Sequence, residues 1–381
     1  MIEPLREIEK LAAFEGRGAG TDAERRAAEH LRGRLEELGR DAEVQPISVR
    51  PNWPVTHALH ALLAILGSVL SVDTPVAGAA ILAFVAVSAF GDLTGSFLLL
   101  RRLTGRRASQ NVLSAEDGDK PGTLVLVAHY DTGRGGAVFS PRAAERRAVA
   151  GKLLRRTIGP FEPFFWSIVV VLACAVVRLF DIDALALTVV QFIFTVILIV
   201  SVPLLMDIAL SGFVRGANDN ASGVATVLRL AERYGGTLDH FDVWVLFTGA
   251  EKSLLLGMRE WLARHRRELD RASTIFLDVN RVGHGTPRYT RKQGFVVAAA
   301  YHPALLELCE EIDEGRPVVS RGVSDAHLAR MRGYPALSVS CLNAMDYALD
   351  RVDEDALERG YDFCCELVEL VDERIGPDLA P

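Results

Sequence analysis

Cysteine is scarce in this chain, with five thiols among 381 residues. None stands at a metal-ligand spacing and one lies in an apolar stretch, which leaves no thiolate metal site and agrees with a reducing compartment. Positive charge is also in deficit. Against 42 Lys and Arg stand 49 Asp and Glu, a net charge of -7, so nothing supports a nucleic acid as partner. The sequence shows no internal repeat and no low-complexity tract. It opens without the pattern of a cleavable signal peptide, because residues 1–45 are charged and helical in pattern. Thr21 and Glu24 there have the spacing of a capping box, and Ala27, Leu31, Leu35 and Leu38 line one helix face.

What the chain has in excess is apolar length. Hydrophobic residues make up 50% of it and mean hydropathy is +0.20, high for a soluble enzyme, and the surplus lies in two blocks. Residues 55–100 contain HALHALLAILGSVLSV, an SVDTP break and PVAGAAILAFVAVSAFGDLTGSFLLL. Residues 161–213 contain PFFWSIVVVLACAVVRLF, an Asp-Ile-Asp break and ALALTVVQFIFTVILIVSVPLLM. A bilayer core takes roughly 20 apolar residues per helix, so each block reads as a transmembrane hairpin. That predicts a multi-pass protein of the cell membrane with four spans and the lipid bilayer as a partner. Pro203 is expected to kink the fourth helix without ending it. Asp92 stands inside the second apolar run, where an acid is either functional or, beside Gly91 and Gly95, part of a helix contact. His57 and His60, like His30, His240, His265, His284 and His302, have no metal-site setting and are expected at a surface or interface. The flanks carry Arg101, Arg102, Arg106, Arg107, Arg146, Arg147, Lys152, Arg155 and Arg156, whereas the short connecting loops carry Asp73, Asp181 and Asp183. The positive-inside rule then predicts that both termini and the segment between the hairpins face the cytoplasm.

Outside the hairpins, polar groups recur at the ends of apolar β-like runs. TLVLVAH (residues 123–129) is a buried strand pattern that ends in His129, with Asp131 two residues on to orient the imidazole. GANDNASG (residues 216–223) is a turn-rich stretch holding Asp219 and opening a helix whose apolar face is Val224, Val227, Leu228 and Ala231. A third strand pattern, residues 241–247, runs into Glu251 and Lys252, and a fourth, residues 273–279, carries Asp278. One imidazole and several carboxylates delivered from strand ends are how an α/β sheet builds a divalent-metal site, with a nearby Glu as base for an activated water. Further strands are expected over residues 42–47, 110–114, 294–299 and 336–340, and a closing helix from 353 to about 374.

Through GRGAGTDAERRAAEHL, AHYDT, GANDNASGVA, FTGAEKSLLLGM, IFLDV and SDAHLARMRGYPALS the sequence resembles the M28 family of zinc peptidases, which includes aminopeptidases and non-peptidase relatives. The resemblance implies a three-layer α/β/α zinc-exopeptidase-like fold with four inserted transmembrane helices. It would divide the chain into residues 1–54, 101–160 and 214–381 of one catalytic domain, with hairpins at 55–100 and 161–213. It puts Asp219 at the family's metal-bridging position, His129 and Asp278 at the other ligands of one zinc, and Glu251 at the general base. The second zinc's Glu and His ligands are replaced by Lys252 and Asn343, so one ion per chain is expected. The glycine and serine that usually follow the Glu pair are Leu254 and Met258. A protonated Lys252 has no lone pair to offer a metal. It either takes the electrostatic place of the lost cation beside Asp219 or points to solvent. His327 is a candidate substitute ligand. The implied activity is a membrane-embedded, cytoplasm-facing metallopeptidase of aminopeptidase type acting on a peptide substrate; the alternative is an inactive relative that uses the cleft for binding.

Overall fold

The computed structural model describes residues 2–342 and 350–376. Helices α1 (Pro4–Ala12) and α2 (Asp22–Glu37) lead into strand β1 (Glu43–Val49), followed by α3 (Trp53–Asp73) and α4 (Pro75–Leu93). Strands β2 (Arg107–Ser114) and β3 (Gly122–His129) come next, then α5 (Pro141–Leu154), α6 (Glu162–Arg178) and α7 (Leu185–Leu210). The remainder runs α8 (Ser222–Tyr234), β4 (Phe241–Thr248), α9 (Leu256–His265), β5 (Thr274–Val279), β6 (Thr286–Gln293), β7 (Ala299–Ala300), α10 (Pro303–Glu311), β8 (Arg316–Ser320), α11 (Asp325–Met331), β9 (Ala336–Leu342) and α12 (Glu354–Leu370). The chain divides into two compact units. Met1–Pro51, Arg106–Gly133 and Phe213–Pro381 form the first, Asn52–Gly105 and Arg134–Gly212 the second, so that residues 134–160 group with the apolar helices.

The first unit is a mixed sheet in the order β1-β2-β4-β3-β5-β9-β6-β7, with β8 on β6. Its centre, β4-β3-β5-β9, is parallel and joins antiparallel neighbours on both sides, β2 and β6, while β8 runs parallel to β6. Every residue of Leu124, Val125, Leu126, Val127 and Ala128 is buried, although successive side chains of a strand point to opposite faces. Both faces of β3 are therefore covered, which is why the run is uniformly apolar instead of alternating. Helices α8 and α12 pack together and against the sheet, as do α9 and α11, which completes an α/β/α arrangement. Two strands are absent from the sequence pattern. Of the expected strand at 294–299 only Ala299 is extended, in the two-residue β7; the longer strand lies at 286–293 and pairs with β8 and β9. TPRYTRKQ has one wet, charged face, as antiparallel strands near a sheet edge do, and reads as a loop.

Glu24 does more than cap a helix. Thr21 Oγ1 accepts from Glu24 N at 3.2 Å, but the carboxylate reaches Gly20 N at 2.7 Å, the Ser109 hydroxyl at 2.8 Å and Ala250 N at 3.1 Å. Burial, helped by the charge of Asp131 and opposed by these hydrogen bonds, pushes its carboxyl up from 4.5 to about 8. The folded state thus binds more protons than the unfolded chain between those values, and stability falls as pH rises through that window. Glu24→Gln is expected to flatten the decline of melting temperature between pH 5 and 8; an unchanged slope would assign the decline to another group.

In the second unit α3, α4 and α7, of 21, 19 and 26 residues, are long and apolar enough to cross a membrane. The fourth expected span is corrected: α6 has only 17 residues, and Glu162 and Arg178 occupy its first and last turns. At 1.5 Å per residue its apolar part falls short of a hydrocarbon core of about 30 Å. In α7 the pattern of a soluble helix is reversed, with Phe192, Ile193, Ile199 and Val200 exposed while Gln191 and Thr195 are buried. Gln191 donates to Ser68 O at 2.8 Å and Ser71 Oγ at 3.0 Å and accepts from Arg178 Nε at 3.0 Å, so the polar groups satisfy one another inside the helix group. Asp92 takes the helix-contact role, 3.2 Å from Arg101 Nε and 3.7 Å from His57 Nε2. His57 and His60, expected at a surface or interface, are fully buried here, with His60 Nε2 2.8 Å from Ser88 Oγ. The reason is that an acid and a hydroxyl on α4 face them.

Candidate active site

The strands β3, β4 and β5 end nearly level, with Val127 opposite Asp278 and His129 opposite Thr248, and a polar cleft opens beyond the ends of β4 and β5. Asp219, Glu251, Lys252, Asn280 and Arg281 line it, together with hydroxyls and amides such as Thr290, Gln293, Ser324 and Ser338.

Asp219 is placed by the GANDNASG turn. Gly216 is left-handed with φ +69°, and a Cβ there would lie 2.4 Å from Thr132 Cγ2 and 2.7 Å from Asp219 O. Arg17, buried beneath the turn, donates to Gly216 O at 2.6 Å and to Arg215 O, Tyr130 O and Leu11 O at 2.8 Å each. It thereby ties the turn to the exit of β3. Asn220 fastens the other side, donating to Val279 O and accepting from Arg281 N, both at 2.9 Å.

His129 Nε2 stands 3.2 Å from Asp219 Oδ1 and 3.8 Å from Glu251 Oε2. Its Nδ1 faces Asp131, 3.1 Å from the backbone oxygen and 3.5 Å from Oδ1. The Asp131 carboxylate also accepts from Glu251 N at 3.1 Å and Lys252 N at 3.0 Å, and so sets both the ring and the loop that carries the glutamate. That loop is strained: Ala250, Leu254 and Leu255 are left-handed without being glycine. Leu254, where the resembled family has glycine, keeps a φ of +66°.

Lys252 is in the cleft and not turned to solvent. Its Nζ lies 2.9 Å from Asp219 Oδ1 and 3.2 Å from Glu251 Oε2. Burial opposes its charge, but the two carboxylates outweigh burial and hold it above its ordinary range. Burial likewise pushes the Asp219 carboxyl up, and Lys252 with His129 overcomes this and holds it well below. Burial and Lys252 lower His129, whereas Glu251, Asp131 and Asp219 raise it to about 10.

Asp278 is fully buried, accepts from Ala326 N at 3.4 Å, and is raised to about 6 by burial and by the charge of Glu251 against the Ser324 hydrogen bond. It is not in the tightest donor group: among the described residues His129, Asp131 and Glu251 are the three whose donor atoms lie within 4.8 Å of one another. The Asp131 oxygens in that group face the far side of the ring and are bound by two backbone N–H groups, so they are poor candidates for ligands. Asp325 went unnoticed in the sequence; it is buried beside Asp278, accepts from the Thr248 hydroxyl, and burial with the charges of Asp278 and Glu251 raises it far above the usual range. The SDAH motif that carries it was the available signal. His327 stands outside the donor group, close to Gly294, and burial lowers it to about 4. Asn343 lies outside the described residues.

The donor chemistry fits a divalent cation. His129 Nε2, Asp219 Oδ1, Glu251 Oε2 and Asp278 Oδ1 are buried, and the first three stand within 4 Å of one another's side chains or of Lys252 Nζ. The 3.2 Å between the first two is close to the roughly 3.3 Å that separates two ligands on a tetrahedral ion with bonds of about 2.0–2.1 Å. The Lys252 ammonium contacts both Asp219 and Glu251 on the same side of the site.

Residues 201–361 match the family model described as peptidase family M28. No curated protein sequence matches the chain. Among solved structures it is similar to an aminopeptidase from Aneurinibacillus sp. strain AM-1, with a TM-score of 0.55, 13% identity, and 99% of this chain and 95% of that one covered. A Zn-dependent exopeptidase from Parabacteroides distasonis matches with a TM-score of 0.52 at 12% identity over 97% of both chains. A glutaminyl cyclase from Tannerella forsythia matches with a TM-score of 0.51 at 13% identity over 96% of both. At these identities the likeness is one of fold.

Proposed function

We propose, from the premise that residues 201–361 carry the sequence of peptidase family M28 on a zinc-exopeptidase fold, that this protein is a membrane-embedded, metal-dependent hydrolase of amide bonds in peptide-like substrates. The observation that supports this reading most directly is the convergence of His129, Asp219 and Glu251, 3.2 and 3.8 Å from the imidazole nitrogen, where parallel strands end in an open polar cleft. His129, Asp219 and Asp278 would hold one zinc ion, which when bound polarises the substrate carbonyl and activates a water. Glu251, whose Oε2 lies 3.8 Å from His129 Nε2, takes a proton from the attacking water and delivers it to the departing amine. Asp131 keeps His129 Nε2 turned to the cleft. Lys252 keeps Asp219 ionised, contacts Glu251, and stands in for a second cation.

A second reading, a binding module without catalysis, is favoured by one contact: the Lys252 ammonium occupies the same Asp219 oxygen that a metal would need. The fold itself does not decide, since it also carries a glutaminyl cyclase. Elemental analysis of protein purified in detergent, paired with a panel of peptides, separates the two. About one zinc per chain is expected, lost on His129→Ala, with hydrolysis of part of the panel. Metal-replete protein that binds no ion and cleaves nothing is the binding module; two ions per chain would refute the role of Lys252.

A further inference from the structure

The charges in the cleft bear on which end of a substrate it holds. A free N-terminal ammonium needs an acceptor carboxylate. Among the described lining residues the acids are Asp219 and Glu251, and both already contact Lys252 Nζ, at 2.9 and 3.2 Å. An incoming ammonium would have to displace the lysine that both carboxylates already contact.

Further lining residues add donors. Asn280 lines the cleft, is 9% exposed, and its Nδ2 is buried with no hydrogen-bond partner, a cost that a ligand acceptor would remove. Arg281 lines the cleft next to it, and its charge acts on both Lys252 and Asp219. Arg281 is left-handed with φ +51°, a conformation an arginine adopts only when its surroundings impose it. Three backbone hydrogen bonds do so: Asn280 N to Val339 O at 2.9 Å, Arg281 N to Asn220 Oδ1 at 2.9 Å, and Cys341 N to Arg281 O at 3.0 Å. Strain is thus maintained at the point where two consecutive donor side chains leave β5 beside the candidate base. A lysine, a planar guanidinium and an amide N–H around one polar space make a carboxylate receptor.

We propose that the cleft recognises a substrate carboxylate through Lys252, Asn280 and Arg281, so that its amides are those of N-acyl amino acids and peptide C-termini, not those of free N-termini. The identity of the scissile bond rests on the hydrolase reading above; carboxylate binding does not. The test is calorimetric binding of three probes to the full-length, zinc-replete protein: N-acetyl-leucine, which has a carboxylate, leucinamide, which has an ammonium, and the neutral N-acetyl-leucinamide. N-acetyl-leucine is expected to bind at least tenfold more tightly than either, and Lys252→Gln and Arg281→Gln are each expected to weaken it tenfold or more. Arg281→Gln, which leaves the Lys252 side chain in place, serves if Lys252→Gln does not fold. Leucinamide binding as tightly as N-acetyl-leucine, no binding of either, or an affinity for N-acetyl-leucine that survives both substitutions would each overturn the proposal. Release of leucine from N-acetyl-leucine is followed separately. Tight binding without release removes the hydrolase reading and leaves the carboxylate receptor, whereas hydrolysis of free-N-terminal peptides with no carboxylate preference does the reverse.

Discussion

Glu251→Gln is expected to lower turnover of every accepted amide by roughly 100- to 10,000-fold, the range of a lost general base, with zinc content unchanged. The substitution keeps the shape of the side chain and removes its ability to take a proton. The backbone of residue 251 stays fixed because Asp131 Oδ1, 3.1 Å from Glu251 N, does not depend on the side chain. Steady-state kinetics with metal analysis of the same sample separates this from loss of the ion, which His129→Ala is expected to cause. A fall of only a few-fold with zinc retained would place the base elsewhere. The effect should be larger than that of any rim residue, since proton transfer depends on one atom and binding is shared among several donors.

The largest expected effect on stability comes from Arg17→Ala. Its guanidinium donates to four carbonyls on three chain segments, all at 2.6–2.8 Å, and the side chain is buried. Burial lowers its pKa to about 10, against the charges of Asp131, Asp350 and Asp219, so it stays a cation at neutral pH. Removing it leaves those oxygens without their donor and Asp131 and Asp219 with less compensating charge, which is expected to cost about 3–5 kcal/mol. Arg17→Lys retains the charge without the planar fork and is expected to recover only a minor part. Denaturant unfolding in detergent measures both, and zinc content should fall with Arg17→Ala because the Gly216 turn that aims Asp219 comes loose. A change within about 0.5 kcal/mol, the level of an ordinary surface substitution, would show that the four bonds are replaced by water.

Much of the site could be read along the chain because its parts are local. A strand buried on both faces has to be continuously apolar, so residues 123–129 announced β3 and the position of His129 at its end. Turn residues around Asp219 and the apolar stripe of α8 are local patterns too. The polar, one-sided β6 and β8 were invisible because their pairing is decided by neighbours far away in sequence. The same holds for Asp325 and Glu24: nothing near them in sequence shows that burial will shift their carboxyls upward. Asp92 and His57 belong here as well, since only the packing of α3 on α4 brings them together.

The sequence by itself determined the chemical limits. It contains one imidazole and three carboxylates at strand ends, a lysine that cannot be a ligand, and apolar segments long enough to span a bilayer, because these depend on residue type, order and length alone. Tertiary structure decided how those groups are used. Left-handed backbone at Ala250 and the clamp of Asp131 on residues 251 and 252 carry the Lys252 ammonium onto Asp219 and Glu251 instead of into solvent. Hydrogen bonds from two distant segments, at Asn220 and in β9, impose the turn at Arg281, which lines the cleft beside Asn280. Side-chain direction follows backbone conformation, and backbone conformation at these positions is imposed by contacts between residues tens to hundreds of positions apart.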